Sequence, residues 1–341
     1  MISYDIEDLT EDNKNEWDNF NEIIKDGSFY HTNRWKQILE KSFNLKSHSF
    51  IVRFKGEIVA ICPIYELMIN KYRGLENLPE TDYNSVIIKE EHINEIILKT
   101  ILQKIENIAK LNKLDFSILH INYPKLLELS KNYDPLPYPT LGNMEVNIKI
   151  YPPKKLWAEV FSKKNNQRKY INRFEKDGFK IREIRSENDI KKFYEYYEKN
   201  LYFIKASPYS YNHFKNLLET FSSEDMRITL IEKDDIYAGG LLAFLYQPKK
   251  TMYLRYLSLN RELSNKYHTP YPLYWDAILK ASELGFKIVS FGSTQKDPEY
   301  YNYRLKKKFG CKYKDIYTFV ISYSTTFKLK YNIYRFLKKF D

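Results

Sequence analysis

The sequence predicts a two-domain α/β protein, in the α+β sense that each domain is a mixed, mostly antiparallel sheet flanked by helices. Three observations lead there. The 341 residues suffice for two ordinary cores. Hydrophobic residues make up 43% and aromatic residues 16%, too much apolar surface for a disordered chain. The chain also echoes itself: residues 33–40 read NRWKQILE and residues 212–219 read NHFKNLLE, with Asn, Lys, Leu and Glu in register. After each echo comes a strand, a short charged turn and a second strand. The first pair, HSFIVRFKGEIVAICPIYEL, turns at Lys55-Gly56, and the second, MRITLIEKDDIYAGGLLAFLY, at Asp234-Asp235. The chain therefore reads as two copies of one fold, residues 1–150 and residues 151–341.

In the first copy, DNKNEWDNFNEII, NRWKQILEKSF and EEHINEIILKTILQKIENIAKLN carry helical apolar spacing. LDFSILHI and MEVNIKIY read as strands, and YDPLPYPTLG as a loop. The double proline Pro152-Pro153 then opens a helix predicted to run on through SKKNNQRKYINRFEKDG and to stop at Gly178. The second copy continues with FKIREI as a strand and ENDIKKFYEYYEKNLYF as a helix capped by Ser186. After the echo and its hairpin come the strand TMYLRYLSL, the helix YPLYWDAILKASELG and the strand FKIVSFG. A short helix, PEYYNYRLKKKFG, and a last strand, YKDIYTFVISY, complete it. Antiparallel hairpins with one late strand–helix–strand crossover give an α/β sheet.

A net charge of +11 favours anionic partners: nucleic acid, a phosphorylated co-substrate or an acidic membrane surface. Cys62 and Cys311 are far apart without a CxxC pair, and no two of the six histidines have ligand spacing, so no metal is expected. The N-terminal stretch MISYDIEDLTEDNK lacks the apolar segment of a signal peptide, and no apolar run has the length of a membrane span. The expectation is a soluble, cytoplasmic protein.

Three stretches, in order along the chain, resemble a known family: FYHTNRWKQILEKSF, SKKNNQRKYINRFEKDGFKI and YPLYWDAILKASELGFKIVSFGSTQKDPEYYNYRLKKKFG. They resemble the Fem-like branch of the GNAT acyltransferase superfamily, over residues 15–325. The resemblance implies two tandem GNAT-like domains. The first lies on the acceptor side; the second, with its basic linking helix and amphipathic C-terminal tail, on the donor side. It implies an N-acyltransferase moving an acyl or aminoacyl group to an amine acceptor, such as a cell-envelope precursor. The donor would be aminoacyl-tRNA or acyl-CoA as co-substrate, with no permanently bound cofactor. Two features depart from the family. The segment NRELSNKYHTPYP lacks the glycines that let backbone amides approach a CoA pyrophosphate, and the helical-hairpin arm of some Fem members is absent.

Lys306, in Leu305-Lys306-Lys307-Lys308-Phe309-Gly310, takes the place of a family lysine resembling a donor- or substrate-phosphate contact, and is the catalytic candidate. Ser293 and Thr294 follow the strand end at Gly292, where α/β sheets gather ligands; the competing role is to cap the next helix. Arg168 stands out in the basic linking helix beside Lys164 and Lys169 as a polyanion contact. Tyr256 lies on the strand that splays in GNAT folds; three residues from Tyr253, it is expected on the opposite face. Lys36 and Asp82 match the acceptor-facing helix start and the acceptor loop of the resemblance. The tail over residues 327–340 mixes Phe, Ile and Leu with basic residues, suiting peripheral contact with an anionic membrane. The alternative function is a non-catalytic protein binding RNA or another anionic ligand through the same fold.

Overall fold

The protein is described by a computed structural model over residues 3–129, 141–161 and 166–337. Most of the expected loop at 133–142, Lys164 and residues 338–340 of the tail lie outside the described residues. The chain begins with β1 (Asp5–Asp8), α1 (Lys14–Ile23), α2 (Asn33–Phe43), β2 (Lys46–Ser47), β3 (Phe50–Phe54) and β4 (Glu57–Cys62). It goes on through β5 (Ile64–Ile69), β6 (Tyr72–Asn77), β7 (Ile87–Ile88), α3 (Glu95–Leu111), β8 (Phe116–Ile121) and α4 (Pro124–Leu129). Next come β9 (Leu141–Asn147), α5 (Pro153–Lys155), α6 (Gln167–Lys176), β10 (Lys180–Glu183), α7 (Glu187–Phe203) and α8 (Tyr211–Thr220). The hairpin is β11 (Met226–Lys233) and β12 (Ile236–Tyr246), succeeded by β13 (Thr251–Leu259), α9 (Arg261–Tyr267) and α10 (Pro270–Glu283). The chain closes with β14 (Ile288–Gln295), α11 (Tyr301–Lys308), β15 (Lys312–Lys314), β16 (Tyr317–Ser322) and α12 (Thr325–Leu337).

Local chemistry explains most of these elements. The echoed helices α2 and α8 are capped by hydroxyls, Thr32 accepting from the Trp35 amide and Ser210 from the His213 amide. Ser186 caps α7 in the same way. Both hairpin turns have positive φ at their two central residues, 51° and 84° at Lys55-Gly56 and 49° and 62° at Asp234-Asp235. That is the turn whose twist matches paired strands, and Asp tolerates it where most residues do not.

The chain divides into two compact units, residues 1–141 with 315–341, and residues 142–314. The first holds a four-stranded sheet, β1-β3-β4-β7, and a five-stranded sheet, β16-β8-β6-β5-β2. They part at Pro63, which separates β4 from β5 because it has no N–H for a ladder. The second holds one seven-stranded sheet, β10-β11-β12-β13-β14-β9-β15, in which β12 runs unbroken through 11 residues. Each unit buries its own core, Ile97, Ile101 and Ile105 of α3 under the first and Leu273, Ala277 and Ile278 of α10 under the second.

Two strands change sides relative to the sequence expectation. β9, expected in the first copy, lies beside β14 in the second unit, and β16, expected in the second, pairs antiparallel with β8 in the first. Each unit thus has the strand beside its crossover strand supplied from the other half of the chain. The tail comes after β16: Phe327 of α12 stacks on Phe116 at 4.5 Å, while Leu329 and Ile333 stay exposed.

The linking helix is not continuous. After α5, Leu156–Val160 makes a π-type turn, Phe161 leaves helical geometry, and α6 starts after Asn166 at φ 59°. The wider turn carries Trp157 and Phe161 against Trp275, with ring centroids 5.2 and 5.1 Å away. Aromatic packing therefore overrides helical continuation. Among the described residues no helix is long and apolar enough to cross a membrane.

Candidate active site

The second unit opens its sheet between β13 and β14. The two strands are parallel for three pairs only, Thr251 with Ile288, Met252 with Val289 and Tyr253 with Ser290. β13 then runs on to Leu259 and β14 to Gln295 without further pairing to each other. Strands that part at their carboxyl ends leave a crevice of the kind where α/β proteins hold ligands.

A bulge shapes the β13 wall. Leu254 pairs with Ala243 and Tyr256 with Leu242, which leaves Arg255 as the extra residue. Met252 and Leu254 before the bulge, and Leu257 and Leu259 after it, all pack into one core. The alternation has slipped by one, so Tyr253 and Tyr256 share the other face. This corrects the expectation of opposite faces, which assumed an unbroken period of two. Tyr256 is buried, with its hydroxyl 2.7 Å from His213 Nε2 on α8. Burial, helped by the charge on Arg255, pushes the His213 pKa down to about 3, so the imidazole is neutral near pH 7. Asn200 of α7 reaches the same strand, donating to the Leu257 carbonyl at 3.4 Å.

On the β14 wall, Gly292 has φ 72°, a kink that its lack of Cβ permits, and its amide donates to Ser290 Oγ at 3.2 Å. The strand continues past this kink, so Ser293 and Thr294 are strand residues rather than caps of α11, which begins at Tyr301. Thr294 is buried and its Oγ1 has no hydrogen-bond partner. Lys306 is 9% exposed and donates from Nζ to the carbonyls of Gly292 at 3.3 Å and Ser293 at 2.8 Å. The first lysine of the run thus points inward and holds β14 where it has parted from β13. Tyr256 and Ser293 each stand three residues past the last pair, on walls that have parted.

The other candidates lie elsewhere. Arg168 donates to the carbonyls of Trp157 and, at 2.9 Å, Ala158, tying α6 to the π-type turn. In the first unit, Lys36 pairs with Glu40 at 2.8 Å on a groove of about 370 Å³ that also takes in His48, Ser47 and Lys104. Asp82 is buried in that unit and accepts from the Tyr30 hydroxyl at 3.4 Å.

Sequence reasoning missed His213. A histidine in the first turn of a repeated helix carries no spacing signal toward a strand some forty residues on. Both cysteine thiols are buried, which raises their pKa well above the usual range, so neither is poised as a nucleophile.

Residues 162–304, spanning both walls of this crevice, match the family model for an acetyltransferase (GNAT) domain, Acetyltransf_6. No curated protein matches the sequence. Among solved structures, FemX is similar with a TM-score of 0.69 at 14% identity, covering 93% of this chain and 97% of that one. A tandem GNAT protein from the clavulanic acid biosynthesis pathway gives a TM-score of 0.62 at 8% identity, covering 94% and 98%. Saccharomyces cerevisiae N-myristoyltransferase, solved with bound myristoyl-CoA, gives 0.55 at 12% identity, covering 95% and 80%. At these identities the likeness concerns the fold. Residues 162–304 of the second unit thus match a GNAT acetyltransferase domain, and the fold of the chain is similar to those of FemX and of a tandem GNAT protein.

Proposed function

We propose that this protein is an N-acyltransferase that moves an aminoacyl group from an aminoacyl-tRNA to an amine acceptor, with a cell-envelope precursor as the acceptor class. The observation that carries the reading is the parting of β13 and β14 after Tyr253 and Ser290, inside the stretch that matches the GNAT domain. The donor's acyl carbon would lie between the walls. The amine nitrogen attacks it directly, the carbonyl oxygen takes the negative charge, and as the carbonyl re-forms the ribose oxygen leaves with the proton given up by the amine. Backbone amides on the facing edges of the parted strands would bind the oxyanion. The buried, high-pKa thiols support direct attack over a covalent enzyme intermediate. Lys306 holds the β14 wall in place for this, and the groove around Lys36 is the proposed acceptor side.

The choice of RNA over CoA rests on α10. A GNAT domain offers the CoA pyrophosphate free amides at a helix start beyond the splayed strand, and α10 is the long helix there, following the short α9. Here two of those positions are Pro270 and Pro272, which have no N–H. The amides of Tyr271 and Leu273 are taken by the carbonyls of His268 at 3.0 Å and Thr269 at 3.4 Å. Leu329 and Ile333, exposed among the lysines of α12, suit contact with an anionic membrane that carries the acceptor. The test mixes the protein with charged tRNA or acetyl-CoA and a panel of amines, and follows acyl loss and product mass by mass spectrometry. Transfer from tRNA is expected; transfer from acetyl-CoA alone would overturn the donor assignment, and transfer from neither would overturn the enzyme.

A further inference from the structure

Two stretches of the first unit contain no carboxylate: residues 67–73, LMINKYR, and residues 316–340. The first is the tip of the β5–β6 hairpin, which turns at Asn70 with φ 56°. The second carries α12 and the basic residues Lys328, Lys330, Arg335, Lys338 and Lys339, the last two outside the described residues. One aromatic ring joins the two stretches. Tyr72, the partner of Ile69 across the hairpin, meets the Phe327 ring of α12 at 5.4 Å. Lys71 Nζ from the hairpin and Lys330 Nζ from the helix stand 5.6 and 5.7 Å from the centroid of that same ring. Lys71, Lys328 and Lys330 are exposed and, among the described residues, pair with no carboxylate.

The aliphatic residues here point away from the contacts that the aromatic ones make. Phe327 stacks on Phe116 and on Tyr331, one turn along α12. Leu329 and Ile333 are displaced from that pair by two residues, about 200° round a helix. They are 64% and 53% exposed. On the hairpin, Met68 is 65% exposed and Ile69 38%. Neighbours on a strand face opposite sides, so the tip stands clear of cover on both. Large apolar side chains exposed among unpaired cations match the boundary between lipid headgroups and acyl chains. RNA would use the cations but stack its bases on aromatic faces, and none of the four exposed side chains has one. We propose that the tip of the β5–β6 hairpin and the outer face of α12 form one surface that lies on anionic lipid, with Met68, Ile69, Leu329 and Ile333 at the acyl boundary and Lys71, Lys328 and Lys330 against the headgroup phosphates. The inference rests on the membrane contact of the acyl-transfer reading, to which it adds the hairpin.

Co-sedimentation is measured with vesicles of phosphatidylcholine alone and of phosphatidylcholine mixed with phosphatidylglycerol, at low and high salt. Wild type should bind the mixed vesicles, more weakly as salt rises, and leave the neutral ones. The double variants Met68→Ser with Ile69→Ser and Leu329→Ser with Ile333→Ser should each weaken binding about tenfold or more. Lys71→Gln with Lys330→Gln should do the same at low salt. Ile236→Ser, at a position 56% exposed beside the acidic turn of the second unit, should match wild type. Melting curves confirm that each variant is folded. If wild type does not bind the mixed vesicles, or if the hairpin variant binds them as wild type does, the joint surface is wrong. It is also wrong if the apolar substitutions leave vesicle binding intact but turn a dimer into a monomer, which would assign the face to a second copy of the chain. Vesicle binding by a protein that transfers from no donor would leave the surface standing and remove the acyl-transfer reading; transfer without vesicle binding would do the reverse.

Discussion

In the first unit, β6 and β8 run parallel for three pairs, from Gly74 with Phe116 to Glu76 with Ile118, just as β13 and β14 do in the second. Beyond those pairs the two units differ. At the next residue of β6, the Asn77 side chain crosses the gap, donating to the His120 carbonyl at 3.1 Å and accepting from the His120 amide at 2.7 Å. It also donates to the carbonyl of Asn84, so one amide replaces a further ladder step. In the second unit β13 has the bulge at Arg255, and Tyr256 turns to His213 on α8 instead of across to β14. One fold, present twice, is stitched shut in one copy and parted in the other. A single amide side chain closes the gap in one copy and a single extra residue re-aims the strand in the other.

Acid should test the two units against each other most strongly. Burial pushes His31 of the first unit down to about 4 and His213 of the second down to about 3. Unfolded, each would titrate near the ordinary histidine value of about 6.5. Below that pH the unfolded chain binds a proton that the folded chain refuses, so stability is full above about pH 6.5 and falls as pH drops. The slope is about 1.4 kcal/mol per pH unit for each histidine, ending near pH 4 for His31 and near pH 3 for His213. Urea midpoints at pH 7 and pH 4.5 should fall steeply in wild type. His31→Gln and His213→Gln should each flatten the fall by one histidine's share; an unchanged slope would mean that the histidine titrates in the folded unit.

Next in size is the stitch. Asn77→Leu leaves the buried amide and carbonyl of His120 without their partner, a loss of about 2–6 kcal/mol at roughly 1–3 kcal/mol per group. Transfer per folded molecule should not change, because the open crevice is in the other unit. A variant that keeps its stability but loses transfer would break the contrast between the two gaps.

The smaller expected effect on stability is at the open gap. Lys306→Met removes the ammonium from the Gly292 and Ser293 carbonyls, for about 1–3 kcal/mol. Transfer should slow about tenfold or more through kcat, since a loosened β14 wall misplaces the reacting atoms. Lys307→Ala, which alters an exposed neighbour, should change neither quantity. If Lys306→Met transfers as fast as wild type, the held end of β14 is not part of the site.

Much of the fold is legible in the chain because its causes are local. Ser186 and the apolar spacing behind it mark α7 over Glu187–Phe203, and the Asp234-Asp235 pair marks its hairpin. The site is legible only in part. Ser293, Thr294 and Lys306 do converge on one strand end, but a lysine between Leu305 and two further lysines reads as solvated until its carbonyl partners are known. Tyr256 was singled out, yet its direction depends on a bulge that leaves no mark: TMYLRYLSL alternates plausibly with or without it.

The sequence by itself determined the duplication, the helices with their caps, the two charged turns and the GNAT-like order of elements. Each arises from residues a few positions apart, where propensity and hydrogen bonding act within one segment. The tertiary structure alone decided that β9 and β16 complete each other's halves, that the linking helix breaks at Phe161, and that one crevice is stitched while the other is open. The helix break is set by aromatic packing on Trp275, and the other outcomes by which backbone edge lacks a partner once the sheets have formed. An unpaired edge exists only in the assembled fold, so no local stretch of sequence can announce what will cover it.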